Sequence, residues 1–201
     1  MADLISLEDS LKELKKLPMA KYSLLPIKAE FDEFEKRLKE LKKPYWIKIN
    51  SGEHKTKQGG VEKAESLEDL KIKHGKLKKK FPNEKFVVQE SIEGEEIILG
   101  LKKDKTFGKV LLIGSGGSLA ETIGDTEFRI LPVKKREINK TLKNLKTYKI
   151  LKKNKCNIKK LTKFIEKFSN LAMKSEWEIA DLNPVIVNKK EAKLVDARIV
   201  I

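Results

Sequence analysis

Two apolar patterns alternate along this chain, and their alternation restricts the folds open to it. Leu4, Leu7, Leu11, Leu14 and Leu17 fall at helical spacing, with Ser6 placed to cap and Pro18 to stop the helix. Phe31, Phe34, Leu38 and Leu41 form a second helical stripe, closed by Pro44. Short β-branched or aromatic runs follow at Tyr45–Ile49, Phe86–Gln89, Glu96–Leu101, Lys109–Ile113 and Thr126–Pro132, each reading as a strand. Ser66–Asp69 opens another helix, and two more are expected over Lys134–Asn144 and Asn157–Met173. In the last of these Ile158, Leu161, Phe164, Ile165, Phe168 and Leu171 share one face. Pro184–Asn188 and Lys193–Ile201 read as a closing β-hairpin. Interspersed helices and strands without an internal repeat predict an α+β fold. The texture changes after Pro82, so an N-terminal lobe over 1–88 and a C-terminal lobe over 89–201 are expected.

Charge narrows the function. Lys+Arg is 45 and Asp+Glu is 30, a formal net charge of +15, and only four of the basic residues are Arg. Such a balance raises nucleic acid as a partner, although Lys and Glu enriched together also mark heat-adapted surfaces. A nucleic-acid reader is expected to cluster Arg and expose aromatic rings. Here Arg is scattered and aromatics are 6% of the chain, so no nucleic-acid partner is expected and a Lys-rich nucleic-acid-binding protein is the alternative of a different class. A hydrophobic fraction of 39% is too high for a disordered chain. The one cysteine, Cys156, excludes an internal disulfide and points to a reducing compartment. No apolar run approaches the ~18–20 residues of a membrane span, and no signal-peptide pattern is present. A cytoplasmic protein with no membrane partner is expected.

Three constellations carry chemistry. Gly114-Ser-Gly-Gly-Ser-Leu119 follows a buried-type strand, as a phosphate-cradling loop would. It is neither a dinucleotide fingerprint, which needs Gly at Leu119, nor a Walker A loop. Glu121 and Asp125 lie just beyond it. The loop 50–61 joins flexible glycines to His54 and lysines, a composition able to fold over a polyphosphate. His74 has no ligand-like neighbours. Asn183 and Asp196 flank the closing hairpin. Two hard oxygen donors on paired strands suit Mg²⁺ completed by phosphate and water, whereas pairing of Asp196 with Arg198 or another cation is the structural reading. Nothing supports a nucleophilic Cys or a zinc site.

Taken together, these residues resemble the nucleotide-binding (β) subunits of ADP-forming acetyl-CoA synthetases, a family of ATP-grasp proteins. The blocks that match are Ile47-Lys48-Ile49 with His54–Val61, Val88–Ser91 with Gly94–Glu96, and Asp104–Gly108 with Gly114–Glu121. Phe128–Pro132, Asp181–Pro184 and Val195–Ile199 complete the order. Lys57 and Lys109 stand where the family has Asp and Pro. The resemblance implies an ATP-grasp fold of two α/β lobes with ATP or ADP bound between them and Mg²⁺ as the metal. It implies phosphate contacts from Lys48 and from the loop through Lys55, Gly59 and Gly60. It implies an adenine hinge at Gln89, Glu90, Ser91 and Ile92, a ribose contact from Glu96, and phosphate neutralisation by Arg129. It assigns Asn183 and Asp196 to the metal, His54 to phosphoryl transfer and Asp181 to orienting it. The implied reaction is acyl-CoA + ADP + phosphate to acid + CoA + ATP, with a CoA-binding α subunit in an α2β2 assembly. A succinyl-CoA synthetase-like β subunit is the alternative, and the His54-Lys55 pair favours the acetyl type.

Overall fold

Two of the expected strands pair with two that were not expected, Tyr22–Leu25 and Val61–Ala64, into one antiparallel sheet in the computed structural model, which describes residues 3–28, 30–53, 55–56, 58–117 and 124–201. These are β1 (Tyr22–Leu25), β2 (Tyr45–Ile49), β3 (Val61–Ala64) and β4 (Phe86–Glu90), in the order β1-β4-β2-β3. They belong to a compact unit made of Ile5–Lys12 and Ala20–Ser91. Helices α2 (Phe31–Leu38) and α3 (Leu67–Lys80) bury Phe31, Leu38, Leu70 and Leu77 against Ile47, Ile49, Phe86 and Val88 of the strands. Each such side chain contributes about 1.5–3 kcal/mol on burial. Ser66 caps α3 by accepting the Asp69 N–H at 3.2 Å, with acidic residues in the first turn and lysines in the last.

His74 is part of this core. Its ring lies 5.7 Å from Phe31 and edge-on to Phe86 at 5.2 Å. Burial pushes its imidazole below the ordinary value, and the Lys78 charge acts in the same direction. The unfolded chain therefore takes up this proton more readily than the folded one. The contribution is fully present above about pH 6.5 and is lost as pH falls from there towards the lower folded value. The urea midpoint is expected to drop between pH 7 and 5, and His74→Leu to make that drop smaller. An equal drop in both proteins would contradict this.

The second unit comprises the N-terminal residues up to Leu4, Glu13–Met19 and Ile92–Ile201. Its sheet holds β5 (Glu95–Asp104), β6 (Gly108–Ser115), β7 (Thr126–Ile130), β8 (Ile179–Val187), β9 (Ala192–Leu194) and β10 (Arg198–Val200). The order is β10-β8-β5-β6-β7, with β9 also paired to β8. One face is covered by α4 (Lys135–Asn144), α5 (Thr147–Lys153) and α6 (Ile158–Met173), which bury Ile138, Leu151, Leu161, Phe164 and Phe168. On β8, Ala180 and Leu182 are buried, so by strand alternation Asp181 and Asn183 belong to the other face.

Some elements differ from expectation. The N-terminal stripe is helical only over Leu7–Glu13 (α1), while Leu4 instead bridges to Val200. The expected last strand is split, β9 pairing with one end of β8 and β10 with the other. β8 itself begins at Ile179 and runs through Pro184, which coincides with a register shift opposite Ile97–Leu99. A residue without an N–H is tolerated in a sheet at such an irregularity. Helix α5 arises because the Asp125 carboxylate accepts the N–H groups of Lys146 (2.7 Å) and Thr147 (2.8 Å). Asp125 is thus a buried helix cap.

Candidate functional site

Strands β2 and β4 are neighbours, and this adjacency brings two candidate side chains of the first unit together. Lys48 and Gln89 are both buried, and the Lys48 ammonium donates to Gln89 Oε1 at 3.0 Å. Gln89 Nε2 is also buried and has no hydrogen-bond partner among the described residues. An unmatched buried donor is costly, and a ligand acceptor would relieve that cost. Glu90 is tied to the backbone of Lys21, its carboxylate accepting the Lys21 N–H at 3.0 Å and its own N–H donating to Lys21 O at 3.0 Å. Ser91 donates its N–H to Pro44 O at 2.9 Å and accepts the Trp46 indole N–H at 3.3 Å. Ile92 begins the other unit.

Beyond β2 the described part of the loop folds back as a tight turn. Gly59 donates to Thr56 O at 3.0 Å and Gly60 to Lys55 O at 2.8 Å, and Lys55 is buried. A Cβ on Gly60 would lie 2.6 Å from Ile49 Cδ1, so the turn can seat on β2 only with glycine there. His54 and Lys57 lie outside the described residues.

In the second unit the register sets Arg198 opposite Asp181 on β10 and β8. Two residues further, Asn183 donates its N–H to Asp196 O at 3.2 Å, so these two residues also face each other. Asp181, Asn183, Asp196 and Arg198 therefore share the sheet face away from the helices. Asp196 Oδ1 accepts the Ala197 N–H at 2.9 Å. Next to Asp181 in register comes Gly100, which presents no side chain. A groove of about 690 Å³ runs along this face, lined by Gly100, Lys102, Asp181 and Arg198 and by the apolar Phe128, Ile130 and Ile179.

Among the described residues no group of three His, Cys, Asp or Glu is placed to hold a metal. The facing Asn183 and Asp196 offer an amide oxygen and a carboxylate. That hard-oxygen pair fits Mg²⁺, which keeps waters and phosphates in its other positions.

Two expected elements are arranged otherwise. Gly116 donates to Glu96 O at 2.8 Å, and a Cβ on it would lie 2.7 Å from Glu96 Cβ. The described glycines of the run 114–117 thus serve close packing against β5, and they bring Gly117 beside the Glu96 carboxylate. Ser118–Ile123, with Leu119 and Glu121, lie outside the described residues. Arg129 pairs in register with Leu111, on the pleat that also carries the buried Leu101 and Ala180, and it bonds Glu127 at 2.9 Å. The sheet therefore sets Arg129 on the face opposite the Asn183–Asp196 pair. Arg198 and Lys102 are cations on that pair's own face. Arg198 was legible within Val195-Asp-Ala-Arg198 and inside the expected strand Lys193–Ile201, but its place opposite Asp181 follows only from the register.

A family profile described as ATP-grasp domain matches residues 17–201. The chain belongs to the ATP-grasp family. The ATP-grasp fold is equally evident in a solved structure, the dinucleotide-forming acetyl-coenzyme A synthetase 1 of Ca. Korarchaeum cryptofilum in complex with coenzyme A, Ca-AMPCP and HgCl+. It superposes with a TM-score of 0.86 at 27% identity, covering 100% of this chain and 93% of that one. Acetate–CoA ligase (ADP-forming) II of Archaeoglobus fulgidus is 29% identical over 95% of this chain and 30% of its own length. Acetate–CoA ligase (ADP-forming) I subunit beta of Pyrococcus furiosus is 32% identical over 54% of this chain and 49% of its own. This ATP-grasp chain thus spans about half or less of the curated relatives it matches. No helix among its described residues is long and apolar enough to cross a membrane.

Proposed function

We propose that this chain is the nucleotide-binding (β) component of an ADP-forming acyl-CoA synthetase. The observation that carries the reading is the facing Asn183–Asp196 pair on an open sheet face of an ATP-grasp chain. The names of the relatives, acetate–CoA ligases that form ADP, support the reaction class.

Each unit contributes by its own chemistry. On the first, Lys48 sets an ammonium against the nucleotide phosphates, held in place by Gln89. Gln89 Nε2 and the hinge residues Glu90, Ser91 and Ile92 recognise the base, and since the N–H groups of Glu90 and Ser91 are already bonded, their carbonyls do this work. Lys55, Gly59 and Gly60 cover the phosphates. On the second, Glu96 accepts hydrogen bonds from the ribose hydroxyls. Asn183 and Asp196 hold Mg²⁺, which when bound neutralises phosphate charge. Phosphoryl transfer depends mainly on such positioning and charge compensation.

In the ATP-forming direction a phosphoryl group on a ring nitrogen of His54 passes to ADP. The P–N bond breaks, a P–O bond to the β-phosphate forms, and the imidazole returns to its neutral state. Asp181 holds the ring through its other N–H. A CoA-binding α subunit supplies the phosphoryl group from acyl-CoA and phosphate, in an α2β2 assembly. With that partner and [γ-³²P]ATP, this chain is expected to carry acid-labile label that His54→Ala abolishes. Undiminished label on the variant would contradict the role of His54.

A further inference from the structure

The chain's positive charge is concentrated in one place. Residues 134–160 hold 12 basic residues and one acidic residue, +11 of the total +15, leaving 33 basic and 29 acidic residues elsewhere. All 12 are exposed. They occupy α4, α5, the start of α6 and their connections, whose apolar sides are buried against the sheet. Lys135, Arg136, Lys140, Lys149, Lys152 and Lys153 form no ion pair among the described residues. Along α6 the surface continues into a cleft of about 280 Å³ whose charged lining is Lys160, Lys163, Lys167 and Lys190 with one carboxylate, Glu191. So many like charges on one layer repel each other and weaken the fold, unless an anion meets them.

We propose that the outer face of α4–α6 binds the phosphate backbone of a nucleic acid, without sequence preference, as a second function of this chain. Three observations select this occupant. Eleven of the 12 basic residues are Lys, which docks phosphate as a point charge but lacks the planar fork that reads bases. Protein interfaces deplete Lys and favour Arg and aromatics, which argues against a protein partner. A membrane-bound helix needs an apolar stripe turned outward, and here the stripes of α4 and α6 are turned inward. Scarce Arg and few aromatics argue against base recognition and stacking, but backbone binding requires neither. The surface lies on the face of the sheet opposite Asn183 and Asp196, so nucleotide and nucleic acid occupy separate places.

The test is fluorescence anisotropy with a labelled 20-base-pair DNA duplex, and an RNA of equal length, between 50 and 200 mM salt. The full chain is expected to bind both, with affinity falling steeply as salt rises. The variant K149Q/K152Q/K153Q/K159Q is expected to bind at least tenfold more weakly at 50 mM salt. Its log–log salt slope should be shallower by about 3–4, near 0.9 for each phosphate no longer neutralised. A control with the same net charge, K15Q/K16Q/K42Q/K76Q, should stay within about twofold of the wild type at each salt. Both variants should keep the wild-type thermal shift with Mg·ATP, which separates this proposal from the nucleotide reading. Absence of binding at 50 mM salt, equal weakening in the two variants, or tighter binding to poly-glutamate or phosphatidylserine vesicles would overturn it.

Discussion

Asp196→Ala is expected to abolish the stabilisation of this chain by Mg·ATP. A ligand at 100 times its Kd stabilises the folded state by about 2.7 kcal/mol. For a chain near 200 residues that is a rise in Tm of about 5–10 °C, at roughly 2–4 °C per kcal/mol. Asp196 supplies the only carboxylate of the facing pair, and Asn183 alone offers one neutral amide oxygen. Asp196 Oδ1 accepts the N–H of its neighbour Ala197 at 2.9 Å, and removing such a hydrogen bond costs about 1 kcal/mol. Measured against its own unliganded Tm, the variant should show no shift with nucleotide. A full wild-type shift in Asp196→Ala would remove the carboxylate from the site.

Trp177→Ala is expected to cost about 3–5 kcal/mol of folding free energy, a large share of the ~5–15 kcal/mol typical of a folded protein. The indole is 1% exposed and stacks on Phe168 of α6 with centroids 6.3 Å apart. Its N–H donates to Glu13 Oε2 at 3.2 Å, so it ties the segment 13–19 to the body of its unit. Truncation leaves a cavity and frees the Glu13 carboxylate. Trp177→Phe keeps most of the packing and should cost nearer 1 kcal/mol for the missing hydrogen bond. Urea denaturation measures both, and a decrease below about 1 kcal/mol for the alanine variant would show that the site collapses without penalty.

The helices were legible where one face was strongly apolar. α6 starts where expected, just after Asn157, whose side chain accepts the Lys160 N–H at 3.0 Å. α5 was not legible, because its seven residues carry a lysine at nearly every outward turn and its start depends on Asp125, more than twenty positions away. β8 was expected only from Pro184, beyond Asp181 and Asn183. In the fold those polar residues are the open-face side of a strand whose other side is buried. The Asn183–Asp196 pairing could be read from the closing hairpin, since both partners are close in sequence. The Lys48–Gln89 bond could not, as it depends on β2 and β4 lying side by side across 41 positions. Arg129 shows the same limit, because its face is set by the register of β7 on β6. The charge of 134–160 was visible in the sequence, but its outward display follows only from which side of each helix is buried.

That the oxygen pair and the buried lysine serve a magnesium-bound nucleotide is tested most directly by the Tm of the wild-type chain in saturating ATP, with Mg²⁺ and with EDTA. A rise of about 5–10 °C is expected with Mg²⁺, and a much smaller one with EDTA. No rise with Mg·ATP or Mg·ADP would contradict it.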